Sequence, residues 1–347
     1  MLRTISSFPP RFRFAPLIAM LLLLPVMGGC DRTEKHPAVV TTDTTATAAA
    51  TDTATVPPAS ADSSAAISII DAVGEKVVLA RPAQRVISLA PSLTETIFAL
   101  GAGDRLVGRT SYCNYPPEAA KVPPVGDMLT LRYEEIIALK PDLIVMSIAG
   151  NTDANYRKLR DLGLTVCAIG AENVGNVIAS LDTMGMLLGR RAEAGVMLER
   201  LFGQIDSVRG LAVAAPPVTT FIVIDKSPLI TASRGFLAEE LMLAGGENIA
   251  AGESAGYPKY SREAILRRNP EVILLPGTSW SAVDDLLKTY PEWKNLRAVR
   301  NNRVYVIPPD IIMRPGPRIT QGVTALYEAL HGADPKALLA RLAPAAQ

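Results

Sequence analysis

The sequence predicts an α/β protein made of two similar α/β lobes, each with a central parallel sheet, joined by a single long helix and separated by a ligand cleft. Three observations support this prediction: buried-strand runs alternate with helical patterns, one segment is repeated, and an unbroken helical stretch lies between the two copies. The chain has 347 residues, of which 48% are hydrophobic, so it can build a core in each lobe.

Charge and histidine content exclude several kinds of function. The formal charge of +1 provides no electrostatic surplus for binding a polyanion, so we expect no nucleic-acid partner. The two histidines, His36 and His331, cannot assemble a site of several imidazoles around a zinc or manganese ion. We therefore expect neither a metal centre belonging to the protein nor a resident cofactor.

The first residues have the pattern of an export signal. Arg3, Arg11 and Arg13 form a basic region ahead of an apolar run over residues 15–27, which is short for a membrane span. We predict a signal peptide over residues 1–29.

The end of this segment, Met27-Gly28-Gly29-Cys30, resembles a bacterial lipobox, in which the cysteine receives a diacylglyceryl group. Residues 30–66 then form a Thr/Ala/Ser/Pro-rich tether, which is too poor in apolar side chains to offset the entropy of ordering. The prediction is a lipid anchor at Cys30 that holds the chain on the periplasmic side of the inner membrane. The alternative is an ordinary secretory signal with an incidental Cys30.

The first lobe is predicted over residues 67–190. A buried-strand run at 85–89 is followed by Ser92 and Glu95 at capping-box spacing, a pattern typical of a strand, a tight turn and a helix start. Further α/β units follow along the chain, as expected for a parallel sheet.

An internal repeat predicts the second lobe. The segment Glu134–Met146 recurs as Glu263–Leu275 with Glu, Ile, Pro and a strand of aliphatic residues in register. Leu100–Asp104 is echoed by Leu243–Glu247 in the same order, which favours duplication over the alternative, a common helix-Pro-strand connector.

The helical stretch between the copies predicts how the lobes are joined. Apolar residues with three- and four-residue spacing indicate one connecting helix over residues 191–211. The second lobe is predicted over residues 212–335 and a C-terminal tail over residues 336–347.

Parallel sheets bind ligands at the carboxyl ends of their strands, and the side chains expected there are aromatic, hydroxyl-bearing or charged. Such a set suits a broad, flat, partly apolar ligand held by a few polar contacts. The predicted ligand-binding residues are Ser92, Tyr112, Met128, Ser147, Tyr257, Trp280, Asp310 and Arg314.

Simpler roles remain open for several of these residues. Tyr112, Tyr257 and Trp280 could cover apolar surface at the edges of the lobes. Arg314 could brace a loop near a helix start, whereas at a ligand its planar guanidinium would make two hydrogen bonds to an anionic group.

Four segments together carry a family resemblance: Ser88–Glu95, Tyr112–Ala119, Glu134–Leu143 and Gly245–Ala250. They resemble the periplasmic substrate-binding proteins of ABC importers for cobalamin, haem and ferric siderophores. The resemblance runs from about residue 67 to 331, and the Tyr-Cys-Asn-Tyr-Pro-Pro segment is closest to the cobalamin-binding members. It implies a two-lobed monomer with a connecting helix and a bound metal chelate between the lobes.

The resemblance also implies residue roles. Tyr112, Tyr257, Asp310 and Arg314 fall on ligand-contacting positions of the cobalamin-binding members. Met128 and Ser147 lie where those members present indole rings, which reduces the stacking surface and leaves open another corrinoid or chelate.

Two glutamates at equivalent places in the repeat have a separate implied role. By the resemblance, Glu134 and Glu263 lie on the outer rims of the lobes and meet arginines of a permease dimer that works with ATPase subunits. The alternative is that both are favourable helix-start residues.

Other functions and a cysteine pairing stay open at this point. The runner-up ligand is haem or a ferric siderophore, and a ligand-sensing envelope lipoprotein is a further alternative. An enzyme is not expected, because the sequence lacks a nucleophile elbow, a phosphate loop and a well-placed histidine base. Cys113 and Cys167 could form a disulfide, or Cys167 could be buried and Cys113 free.

Overall fold

A computed structural model describes residues 66–343. The predicted signal peptide, Cys30 and nearly all of the tether lie outside the described residues. Within the described range, none of the helices combines the length and the apolar character that crossing a bilayer requires.

Strands and helices alternate along most of the described chain. The strands are β1 (Ile67–Ile70), β2 (Lys76–Leu79), β3 (Val86–Ser88), β4 (Leu106–Arg109), β5 (Leu143–Ser147), β6 (Val166–Ile169), β7 (Val218–Ile222), β8 (Asp225–Lys226), β9 (Leu229–Ile230), β10 (Gly246–Asn248), β11 (Val272–Pro276) and β12 (Val304–Ile307). The helices are α1 (Pro91–Ala99), α2 (Tyr133–Ala138), α3 (Asp153–Asp161), α4 (Val174–Leu187), α5 (Arg191–Val213), α6 (Phe236–Leu243), α7 (Arg262–Arg268), α8 (Ser281–Thr289), α9 (Arg297–Arg300), α10 (Pro309–Ile312), α11 (Ile319–Leu330) and α12 (Pro335–Leu342).

The two main sheets have the same topology. The first lobe pairs its strands in the order β4-β3-β5-β6 and the second in the order β10-β7-β11-β12, and every pairing is parallel. Within each main sheet, the strand that comes first along the chain therefore lies between the second and the third. This arrangement confirms the predicted fold class of two similar α/β lobes with central parallel sheets.

Both faces of each sheet are buried, which explains why the strands are apolar runs rather than alternating patterns. In β5, Leu143 and Val145 pack into one hydrophobic cluster, while Ile144 and Met146 pack into another on the opposite face. The sheet of the second lobe is enclosed in the same way by two further clusters.

The sequence repeat extends to backbone conformation. Each copy has a short helix followed by a non-glycine residue in the left-handed region, Lys140 with φ 47° and Asn269 with φ 42°. Such residues are uncommon, and here each directly precedes a proline that disfavours further helix. Both copies thus end the helix in the same way before the next strand.

Helix α5 spans both lobes. Its 23 residues measure roughly 35 Å, and Ala194 packs into the core of the first lobe while Leu201 and Ile205 pack into the core of the second. The helix ends at Val213, two residues beyond the end predicted from the sequence.

The last described residues, up to position 343, pack against the second lobe. Residues predicted as a tail from position 336 form most of α12. Leu338 and Leu339 on this helix are buried in the two hydrophobic clusters of the second lobe.

Candidate functional site

A cavity of about 300 Å³ lies between the lobes, and we call it the inter-lobe cavity. Its first-lobe wall is formed by residues that follow β3, by Met128 in the loop after β4 and by the end of β5 with the residues after it. Its second-lobe wall is formed by residues that follow β12. The lining residues are Ala90, Pro91, Ser92, Met128, Ser147, Ala149, Gly150, Pro309, Asp310, Met313, Arg314 and Pro315. The fold therefore brings together Ser92, Met128, Ser147, Asp310 and Arg314 from the predicted ligand-binding set.

Asn151 fixes the first-lobe wall. Its side-chain amide donates to the carbonyl oxygens of Leu89 at 3.0 Å and Met128 at 2.8 Å, and its Oδ1 accepts from the backbone N–H of Ser147 at 2.9 Å. One side chain thus links three segments that are distant in sequence. Asn151 was not among the predicted site residues, although a carboxamide shortly after a buried strand is a usable signal for such a role.

The turn that presents Met128 is held by Asp127. The carboxylate Oδ1 of Asp127 accepts from the backbone N–H groups of Leu129 at 2.8 Å and Thr130 at 2.6 Å. These two hydrogen bonds hold the pKa of Asp127 below its usual value, and the bond from Thr130 has the larger effect. Met128 then packs on Gly150, where a Cβ atom would lie 2.0 Å from the Met128 methyl carbon. A larger residue at position 150 would therefore displace the flexible end of the Met128 side chain.

Glu95 connects the two lobes through Arg314, which lines the cavity. Its side chain is 1% exposed and receives Arg314 Nη1 on Oε1 at 3.0 Å, Arg318 Nη2 on Oε1 at 2.6 Å and Arg318 Nε on Oε2 at 2.8 Å. Arg314 also pairs with Asp310 through a 2.8 Å contact between Nη2 and Oδ1. We call Glu95, Asp310, Arg314 and Arg318 the Glu95 network.

Two neighbours complete this network from the first lobe. Asn114 accepts from Arg314 Nη1 at 2.7 Å and donates to Asp310 at 3.3 Å. The ring of Tyr115 lies 4.2 Å from the guanidinium carbon of Arg318. Burial works against the charge of Arg318, but the hydrogen bonds to Glu95 and the Coulombic attraction of Glu95, Tyr115 and Asp310 together outweigh it and raise the pKa of this guanidinium.

These contacts correct one prediction. Ala90 is the N-cap of α1 and Ser92 lies inside the helix, so the capping box predicted from Ser92 and Glu95 is wrong. The Glu95 carboxylate is drawn instead to two guanidinium groups of the other lobe, a charge pairing stronger than a cap. Arg314 contacts Glu95 and also borders the cavity, a position that is compatible with both of its predicted roles.

The predicted aromatic residues lie outside the cavity lining. Tyr112 and Tyr257 are 58% and 57% exposed, and the carbonyl of Tyr112 accepts from Arg314 at 3.4 Å, which places its backbone beside the cavity. Desolvation by surrounding protein raises the pKa of the Tyr257 phenol. Trp280 precedes α8, packs against a core cluster, and has the Lys336 ammonium 5.4 Å from its ring.

Cys113 and Cys167 are both buried and free in the described structure, so they do not form the disulfide that the sequence left open. The Cys113 sulfur lies 3.2 Å from the Thr110 hydroxyl. Cys167 lies within β6, and burial raises the pKa of its thiol to about 12. No group of three or more His, Cys, Asp or Glu side chains within residues 66–343 is placed to hold a metal ion.

Glu134 and Glu263 are exposed and occupy the second position of α2 and α7, respectively. The Ser261 hydroxyl donates to Glu263 Oε2 at 2.9 Å. Hydrogen bonds from its own backbone N–H and from Ser261 hold the pKa of Glu263 below its usual value, so it is charged near neutral pH. The structure thus gives the two repeats equivalent solvent-facing carboxylates.

Comparison with known proteins gives the family. The model of a family described as "Periplasmic binding protein" matches residues 86–311, which include both sheets and most of the cavity lining. The chain belongs to the periplasmic binding protein family.

Individual periplasmic binding proteins match most of the chain. An ABC transporter substrate-binding lipoprotein of Bacillus subtilis, YvrC, is 31% identical over 275 residues, which is 76% of this chain and 85% of that protein. A vitamin B12-binding protein of Vibrio cholerae is 32% identical over 251 residues, 70% of this chain and 87% of that protein.

Solved structures show the same fold. A crystal structure of a periplasmic vitamin B12-binding protein of Vibrio cholerae matches with a TM-score of 0.65 and 29% identity, over 72% of this chain and 97% of that chain. A periplasmic heme-binding protein of Pseudomonas aeruginosa matches with a TM-score of 0.65 and 28% identity, over 73% of this chain and 95% of that one. This chain is therefore an ABC-transporter substrate-binding protein, and such proteins work with permease and ATPase components.

Proposed function

We propose that this protein captures a corrinoid, cobalamin or a close relative, between its two lobes and delivers it to the permease of an ABC importer. The observation that carries the proposal is a cavity lined by both lobes at the strand ends, in a chain similar to proteins named for vitamin B12 binding. An exposed tyrosine of each lobe, Tyr112 and Tyr257, adds apolar surface for a large ligand.

The size of the cavity indicates how such a ligand would be held. A volume of about 300 Å³ is at the low end for small-molecule sites, so it accommodates one edge of a corrinoid rather than the whole molecule. The remainder of the ring system would lie outside it, where Tyr112 and Tyr257 are available for contact.

Polar groups of the cavity suit the amide substituents of a corrin ring. Asp310 keeps 40% of its side chain exposed and can accept hydrogen bonds from amide N–H groups, while Ser92 and Ser147 can donate to amide oxygens. The guanidinium of Arg314 is held by Glu95, so any hydrogen bond it donates comes from a preset position.

Met128 and Met313 face the cavity from opposite lobes. Methionine side chains are flexible and polarisable, and they adapt to surfaces of different shape. This pair therefore favours a site that accepts corrinoids with different substituents over one matched to a single ligand.

Haem is the second candidate, because the heme-binding protein of Pseudomonas aeruginosa and the vitamin B12-binding protein of Vibrio cholerae match with the same TM-score of 0.65. The two ligands differ in the groups they present. Haem carries carboxylates, which suit Arg314, whereas a corrinoid carries many amides, which suit Asp310 and the two serines.

Ligand binding is tested by calorimetric titration of the purified full chain with cyanocobalamin, hemin and a ferric siderophore. We expect cyanocobalamin to bind most tightly. Replacing Tyr112 and Tyr257 with Ala together should weaken its binding about tenfold or more, because each aromatic ring contributes roughly 1 kcal/mol to such an interface.

A matched control is Phe202→Ala, which removes a half-exposed aromatic ring from α5, away from the cavity lining. It should leave the dissociation constant within about twofold. Binding of hemin or the siderophore without binding of any corrinoid would contradict the corrinoid proposal. The function would then be capture of haem or of a ferric siderophore.

We further propose that Cys30 carries the lipid anchor, because the lipobox-like segment precedes a polar tether. A relative of this chain is named a lipoprotein. In cell fractionation, Cys30→Ala should move the protein from the membrane to the soluble fraction, whereas Cys113→Ala should not. Unchanged membrane association of the Cys30 variant would refute anchoring at this residue.

Glu134 and Glu263 are proposed to dock the two lobes onto the permease. Their equivalent, exposed positions let a chain with internal pseudo-symmetry present one carboxylate to each subunit of a two-fold symmetric partner. Exposed charge pairs contribute mainly to recognition and weaken with salt. The double variant with Ala at both positions should keep ligand affinity within about twofold but lose most transport.

The matched control replaces two exposed glutamates on other elements, Glu199 and Glu253, with Ala. Transport of radiolabelled cobalamin should remain near wild type in this control. Normal transport by the Glu134/Glu263 double variant at both low and physiological salt would rule out the docking role. Uptake measured in cells without this protein also separates a transport subunit from a sensor, because only loss of the former stops uptake.

A further inference from the structure

Glu240 is an ionisable residue inside the apolar core of the second lobe. It lies in α6, has 0% exposed surface, and neither carboxyl oxygen has a hydrogen-bond partner within the described residues. An unpartnered buried carboxylate is costly, so this group requires either a proton or a donor.

The backbone of α11 approaches this carboxyl group closely. A Cβ atom on Gly322 would lie 2.7 Å from Glu240 Oε1 and 2.9 Å from the carbonyl oxygen of Ile311. Glycine at position 322 therefore leaves a space that both the Glu240 carboxyl group and the Ile311 carbonyl oxygen border. Both oxygens are acceptors when the carboxyl is ionised, and a proton between them turns a repulsion into a hydrogen bond.

We propose that the Glu240 carboxyl group is protonated in the folded protein and donates a hydrogen bond to the carbonyl oxygen of Ile311, which positions the α10 segment at the inter-lobe cavity. Ile311 directly follows Asp310, and the same segment continues to Arg314 and Arg318 of the Glu95 network. Glu240 is thus a positioning residue. Its relevance to ligand rests on the proposed function, whereas its protonation and its contact do not.

Charged groups on the elements around α6 are engaged elsewhere. Asp310 of α10 pairs with Arg314, and Glu328 of α11 pairs with Arg341. On α6 itself, Glu239 accepts from the backbone N–H of Val174. The other charged residues of the packed elements are exposed: Asp182 of α4, Glu247 of β10, and Arg191, Glu193, Glu199, Arg200, Asp206 and Arg209 of α5. Burial alone then raises the pKa of Glu240 well above its usual value.

A Glu240 carboxyl group that is protonated in the folded protein predicts a specific pH dependence of stability. Because the pKa of Glu240 is higher in the folded than in the unfolded chain, its stabilising effect is complete below the unfolded value of about 4.3 and is lost as pH rises toward the folded value. Glu240→Gln keeps a donor but does not titrate. Relative to this variant, the unfolding equilibrium constant of the wild type should rise up to about tenfold per pH unit from pH 5.

The experiment measures urea unfolding of the full chain at pH 5, 6, 7 and 8 for the wild type, Glu240→Gln and the control Glu239→Gln. The control should follow the wild type, because it leaves Glu240 in place. A ratio of unfolding constants between wild type and Glu240→Gln that stays within twofold across this range would overturn the protonation of Glu240.

Positioning is measured without ligand by amide hydrogen exchange of the same proteins and of Glu240→Leu, which has no donor. Exchange in peptides covering residues 309–322 should be about tenfold faster in Glu240→Leu and within twofold of wild type in Glu240→Gln, with the first-lobe strands unchanged. Equal exchange in all of these proteins would overturn the positioning role. Both results are independent of which chelate binds, so failure of the corrinoid proposal would be seen separately in the titrations.

Discussion

The pairing of the buried Glu95 carboxylate with Arg314 and Arg318 is the interaction on which the site depends. It places the carboxylate of the first lobe between two guanidinium groups of the second lobe. The Glu95 side chain is only 1% exposed. Removing one partner of such a buried group costs about 3–5 kcal/mol, because the remaining charges stay buried without compensation. The separation of the lobes beside the inter-lobe cavity is therefore fixed by hydrogen-bond geometry.

The duplicated frame explains how this pairing can be precise. Helix α5 packs into the cores of both lobes, so their relative position is constrained along its length as well as at Glu95. The cavity lies where strand ends of both sheets converge, with Asn151 ordering one wall and the Glu95 network the other. A rigid site of this kind binds ligand with little loss of conformational freedom.

Sequence patterns predicted the parts of this protein that depend on local order. Buried-strand runs and the repeat at Glu134 and Glu263 indicated the two lobes, because strand burial and helix ends depend on neighbouring residues. The role of Glu95 was missed because capping-box spacing is a local pattern, whereas its partners are more than 200 residues away. Gly150 and Glu240 were missed for the same reason, since each is explained only by a contact with a distant segment.

The Glu95 network holds the two lobes together at the site. Its most direct test is urea unfolding of Glu95→Ala in the full chain, beside Glu193→Ala as a control. Glu193 is an exposed carboxylate that pairs with Arg190 at 2.9 Å. Glu95→Ala should lose about 3–5 kcal/mol of unfolding free energy, whereas the control should change little. Equal stability of the two variants would contradict this role of the network.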